Sequence, residues 1–136
     1  TERDAKYPDG LKSNDYKELY SRWFQFSAFT PIFRAHGTNV PREVWQFGEK
    51  GTSYYDNQVK YIHLRYRLLP YIYSMSHQVT ANNYTLLRGL AMDFTTDTRT
   101  FDIDNAYMFG TSLLVRPVFH PQSEEKNISV YLPELV

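Results

Sequence analysis

Cysteine is absent from the 136 residues, which excludes disulfides and thiol chemistry. An excess of one charge is absent too, because 15 basic and 15 acidic residues cancel. No polyanion-binding surface is indicated beyond a local patch, so nucleic acid is not an expected partner. No run approaches the ~18 uninterrupted apolar residues of a membrane span, so no membrane partner is expected either. Residues 1–15 are polar, without the apolar stretch of a secretory signal. There is no glycine-rich phosphate loop and no Gly-x-Ser-x-Gly elbow. Histidines 36, 63, 77 and 120 show neither HExxH nor a paired ligand spacing, so neither a metal nor a cofactor is expected. No internal repeat is found.

What is abundant is aromatic: 12 Tyr, 9 Phe and 2 Trp. Aromatic rings fill cores, and Tyr and Trp also line carbohydrate sites, where ring faces pack on sugar C–H surfaces. Most of those here sit at core periodicity, which favours the core for any single one.

Read along the chain, Pro8, Asp9 and Gly10 mark a turn. A helix is expected after it, with Asp15 as N-cap and Glu18 as its capping-box partner. Tyr16, Leu19, Tyr20, Trp23 and Phe24 form its apolar stripe. Residues 28–35 read as a buried strand without alternation, the pattern of a strand covered on both faces. A helical turn is expected near 41–47 and a long helix over 55–79. Two apolar stripes run along that helix: Val59, Ile62, Tyr66, Leu69 and Tyr73, and beside them Tyr61, Leu64, Leu68, Ile72 and Met75. Pro70 is expected to kink or break it near Leu69. Lys60, His63 and Arg67 read as its solvated face. Asn82-Asn83 marks a turn, and short strands are expected at 84–87, 113–118 and 128–132. The Thr/Asp-rich stretch 95–105 reads as a loop, with Asp102 and Asp104 solvated or capping. The α/β cadence changes to short strands from Phe109 onward, so a boundary is expected near 95–108.

The stretch richest in information is Phe29-Thr30-Pro31-Ile32-Phe33-Arg34-Ala35-His36-Gly37. Residues two apart on a strand share a face, so Arg34 and His36 are expected to project together. From the residues alone, His36 reads most simply as a core histidine satisfied by a carbonyl. Four further motifs follow in order: Pro41-Arg42-Glu43-x-Trp45-x-Phe47-Gly48, Arg65-x-x-Leu68-x-Pro70-Tyr71-x-Tyr73, Tyr107-Met108-Phe109-Gly110-x-x-Leu113-Leu114-Val115, and Tyr131-Leu132-Pro133. Together with Glu18-Leu19-Tyr20-x-Arg22-Trp23 before them, this ordered set resembles family 31 glycoside hydrolases, the family of α-glucosidases and α-xylosidases. The match spans about residues 16–133.

The resemblance implies an α/β fold made of the last βα units of a (β/α)8 barrel, residues 1–105, followed by the start of a β-sandwich, residues 106–136. It implies an O-glycosyl hydrolase of the retaining type, acting on α-linked xylose or glucose in oligosaccharides. In such an enzyme one aspartate attacks the anomeric carbon and a second carboxylic acid protonates the leaving oxygen, then activates water. Both carboxylates lie N-terminal to the matched stretch in the family, so no catalytic residue is expected in this chain and the isolated chain is expected to be inert. His36 matches the histidine that hydrogen-bonds sugar hydroxyls in the −1 subsite. Arg34 matches the arginine bracing that site, and equally fits a structural arginine paired with a buried carboxylate.

The sequence departs from the family at Ser27 (usually Gly), at Arg88-Gly89-Leu90 (usually Arg-Pro-Leu) and at Asn105-Ala106-Tyr107 (usually Asp-Gln-Phe). Alanine at 106 removes a polar anchor near the barrel rim. A rival reading is a non-catalytic carbohydrate-binding or protein-interaction module derived from the end of a barrel. Open strand edges and apolar helix faces imply self-association of the isolated chain.

Overall fold

The computed structural model describes residues 7–37 and 40–134. Two helices dominate, α1 (Asn14–Ser27) and α2 (Ser53–Asn82). They are followed by β1 (Leu87–Gly89), a one-turn α3 (Leu90–Asp93), β2 (Tyr107–Phe109) and β3 (Leu113–Val115). The three strands form an antiparallel sheet in the order β1-β2-β3, with Arg88 opposite Met108 and Met108 opposite Leu114.

The pleat sorts side chains between two cores. On one face Leu87, Tyr107, Phe109, Leu113 and Val115 meet Leu68, Tyr71, Ile72 and Met75 of α2, with Phe29 and Leu86. On the other face Met108 and Leu114 join Leu90, Ala106, Phe94 and Ile103. Ala106, expected as a lost polar anchor, is therefore an apolar core position in this chain. The stripe of α2 containing Leu68, Ile72 and Met75 faces the core, whereas Tyr66, Leu69 and Tyr73 of the other stripe are exposed. Lys60, His63 and Arg67 are solvated, as expected.

The turn from β2 to β3 is set by Tyr71. Its hydroxyl donates to the Phe109 carbonyl at 2.9 Å and accepts from the Ser112 amide at 3.1 Å. Gly110 lies between them at φ +64°, and a Cβ there would sit 2.2 Å from that hydroxyl. Both the backbone conformation and the space require glycine.

Several expected elements differ. The N-cap of α1 is Ser13, whose hydroxyl accepts from the Tyr16 amide at 3.3 Å. Asp15 lies inside the first turn, and Glu18 instead pairs with Arg22 at 3.1 Å and accepts from the Gln122 amide at 2.8 Å. Helix α2 extends past both ends of 55–79 and runs unbroken through Pro70. Packed residues on either side, Leu68 before and Ile72 and Met75 after, hold both halves against the same core. Its C-cap, Asn83, is left-handed at φ +54°, which fits the turn read at Asn82-Asn83. The strand expected over 84–87 is displaced to Leu87–Gly89, the one expected over 113–118 is limited to Leu113–Val115, and the stretch 95–105 contains a 3-10 turn, Thr98–Asp102. Residues 28–35 and 128–132 form no strand. A parallel strand needs ladder partners along its edges, and among the described residues none lies along 28–35. Ile32 is accordingly 76% exposed, where a buried strand was expected.

Residues 131–134 are held without a ladder. Asp97 is buried and caps the Thr98–Asp102 turn. It accepts from Arg99 Nε at 2.8 Å, from the Tyr131 hydroxyl and from the Glu134 amide. These hydrogen bonds, Arg99's first and Tyr131's second, hold its carboxyl below the usual carboxylate range.

One departure from the family predicts a stability gain. Gly89 sits at φ −61°, ψ 149°, and no atom lies within 4 Å of where a Cβ would project. Because the Gly110 amide bonds the Leu86 carbonyl, the alternation of an antiparallel ladder makes the Gly89–Tyr107 pair a non-hydrogen-bonded one. Gly89→Pro should therefore stabilise by about 0.4–1 kcal/mol, mainly by restricting the unfolded chain. A lowered thermal midpoint would show that the amide is needed.

Candidate sugar-binding segment

The segment carrying Arg34 and His36 leaves the end of α1 and is anchored by other elements. Ala28 is fully buried where α1 ends. Arg65, buried on α2, donates through Nη1 to the Ala28 carbonyl at 3.0 Å and to that of Thr30, and through Nη2 to the Pro31 carbonyl at 2.9 Å. Tyr107 of β2 donates its hydroxyl to the intervening Phe29 carbonyl at 2.9 Å. Thr30 Oγ1 donates to the Ser27 carbonyl, and its separation of 2.8 Å from the Ile32 carbonyl offers a second acceptor. Carbonyls that a sheet would normally occupy are thus met by side chains.

Burial lowers the Arg65 pKa from its usual value, as removal of a cation from water must. Its guanidinium remains the one side-chain group able to fork onto several carbonyls at once. Burial likewise pushes the Tyr107 hydroxyl up to about 12, so it is a permanent donor to Phe29.

Beyond the anchor residues 32–37 are exposed, except Phe33. Phe33 turns inward, with its ring edge-on to Phe24 at 4.8 Å and the Arg65 guanidinium 5.9 Å from its centroid. Arg34 and His36 are both exposed. His36 is therefore not the core histidine that its type alone suggests.

The loop after them folds back over this end. Residues 38 and 39, which join the two parts, lie outside the described residues. Val44–Phe47 makes the short helical turn expected near 41–47. Phe47 is buried and stacks on Tyr20 at 4.5 Å, while the Tyr20 hydroxyl donates to the Arg42 carbonyl at 3.2 Å. The Arg42 guanidinium donates to the Val40 carbonyl at 2.9 Å and lies where a side chain at Gly37 would project. Arg42 is thereby brought beside the residue that follows His36. Neither Arg42 nor Arg65 stands out in the sequence as a site residue, although both belong to the motifs quoted above.

A cleft of about 550 Å³ opens elsewhere, between α1 and residues 117–124, lined by Glu18, Trp23, Phe26 and Phe119 among others. Arg34 and His36 do not line it.

Two family models match the chain in succession. The sequence model of the glycosyl hydrolase family 31 TIM-barrel domain matches residues 10–75, and that of the family 31 C-terminal domain matches residues 83–135. The chain therefore belongs to glycosyl hydrolase family 31. It is 48% identical to an alpha-xylosidase of Saccharolobus solfataricus over 98% of its own length and 18% of that protein's. It is 37% identical to mouse neutral alpha-glucosidase C over 91% of its length and 14% of the relative's. Among solved structures, the family 31 alpha-xylosidase from Xanthomonas citri superposes with a TM-score of 0.75 at 42% identity, covering 85% of this chain and 12% of that one. The chain thus spans less than a fifth of each of these relatives.

Proposed function

We propose that this chain is the end of the (β/α)8 barrel, residues 1–105, with the opening of the following β-sandwich, residues 106–136, of a retaining α-glycosidase acting on α-linked xylose or glucose in oligosaccharides. His36 holds a hydroxyl of the sugar in the −1 subsite, and Arg34 braces that end of the segment. The nucleophile and the acid/base belong to parts of the enzyme outside this chain. The observation that carries the reading is the exposure of Arg34 and His36 at the far end of a segment whose other end is clamped by Arg65 and Tyr107. The 48% identity to an alpha-xylosidase across nearly the whole chain supports the same reading.

In the complete enzyme, a barrel strand's C-terminal end faces the substrate. A histidine there can present either a donor N–H or an acceptor nitrogen, and a sugar hydroxyl can pair with either. Its contribution is to hold the glycone while one carboxylate attacks and the other protonates the leaving oxygen.

The test compares hydrolysis of p-nitrophenyl α-xyloside and α-glucoside by the isolated chain and by its full-length parent. The expected result is an active parent and an inert chain, with the chain self-associating in light scattering because Ile32, Tyr66, Leu69 and Tyr73 are exposed. Activity in the isolated chain would overturn the placement of the carboxylates. A parent inactive on both glycosides would overturn the reading itself.

A further inference from the structure

We infer that Arg65 is a positioning residue for sugar binding, acting through His36; the inference rests on the function proposed above. The exposed end of the 28–37 segment has no strand beside it among the described residues, so no ladder there fixes its register. Register matters because Phe33 is the one residue of 32–37 that turns inward. A slip of one residue would put Arg34 where the Phe33 ring now packs and displace His36 with it.

What opposes that slip is a row of four consecutive carbonyls, 28 to 31, each taken by a side chain from another element. Arg65 takes three and Tyr107 the fourth. The fork is specific to this register, since its two terminal nitrogens reach carbonyls on both sides of the one held by Tyr107. The guanidinium also lies against the Phe33 ring, which Phe24 closes from the other side. Arg65 thus fixes both the main chain at 28–31 and Phe33, the inward residue just beyond it. A lysine at 65 would carry the charge on a single nitrogen and could not span three carbonyls in one plane.

The contrary view is that the clamp only stabilises the fold. A double-mutant cycle in the full-length parent separates the two, using Arg65→Lys, His36→Ala and their combination, with kcat and KM on p-nitrophenyl α-xyloside and the thermal midpoint recorded for each. Arg65→Lys is expected to lower kcat/KM about tenfold when His36 is present, a loss typical of a displaced substrate contact. It should lower it less than twofold when His36 is already alanine. The loss should fall on the same parameter, kcat or KM, that His36→Ala changes. Equal losses in both backgrounds would overturn the inference, whatever the midpoint does. If Arg65→Lys prevents folding, Tyr107→Phe removes only the Phe29 bond, and the same cycle is expected to show a few-fold loss that disappears with His36→Ala. An active parent with additive losses removes this inference alone, whereas a parent inactive on both glycosides removes the site reading and the inference with it.

Discussion

His36→Ala in the full-length parent is expected to lower kcat/KM on aryl α-xylosides or α-glucosides about a hundredfold, roughly 2.7 kcal/mol of transition-state stabilisation. The magnitude follows from what the substitution leaves behind. On the proposed function, a sugar hydroxyl loses its imidazole partner, and a bound substrate group left without its hydrogen-bond partner is costly. On the same proposal the chemistry itself survives, because the carboxylates that break the glycosidic bond are placed outside this chain. Residual activity with an unchanged bond-breaking step is therefore expected. His36→Gln, which keeps a donor and an acceptor, should lose several-fold less. Steady-state kinetics of the three proteins checks this, and an alanine variant as active as the parent would remove His36 from the site.

Phe109→Ala is expected to have the largest effect on stability, about 3–5 kcal/mol. Phe109 is fully buried at the centre of the three-stranded sheet, with Phe29 and Tyr71 both steeply inclined to its ring at 6.4 and 6.3 Å. Truncation empties a space bounded by α2, the end of the 28–31 row and β3, and none of these can close in without giving up other bonds. Tyr71 is held to the Phe109 carbonyl and the Ser112 amide, and Phe29 to Tyr107. Phe109→Leu keeps most of the volume and should cost less than half as much. Thermal unfolding of the parent and both variants measures it, and equal midpoints for alanine and leucine would show that the cavity is not what matters.

How much was legible depended on whether a feature is local. The long helix was legible because Leu68, Ile72 and Met75 repeat at helical spacing, and its end because Asn83 tolerates a left-handed conformation. The cap of α1 was misread because Asp15 and Glu18 fit a capping box as well as Ser13 fits a simple cap. The carboxylate of Glu18 is in fact engaged by Gln122, 104 residues away, which no local pattern encodes. The strand expected at 28–35 failed for a related reason: a strand is a property of paired segments, and apolar β-forming residues cannot supply their own partner. The exposure of Arg34 and His36 was not legible from period two, which turns Ala35 to the opposite face, whereas Ala35 is exposed beside them. Arg65 lay in full view within a motif, yet its targets are main-chain carbonyls, which have no letter in a sequence. Asp97 was hidden in the same way, its partner Tyr131 lying far along the chain.

The ladder joining β1 to β2 has a consequence for how such enzymes are recombined. Leu87–Gly89 and Tyr107–Phe109 hydrogen-bond one another across residues 95–105, the stretch where the sequence cadence changes to short strands. A crossover between two homologous genes inside that stretch would mate one parent's β1 with the other parent's β2. Their cross-strand pairs and both flanking cores would then have to match by chance. A crossover within residues 76–86 transfers the sheet whole, together with Gly110. What the two lineages must then share is the packing of the sheet on α2 and the 28–31 row, with the hydrogen bonds of Tyr71 to the β2–β3 turn.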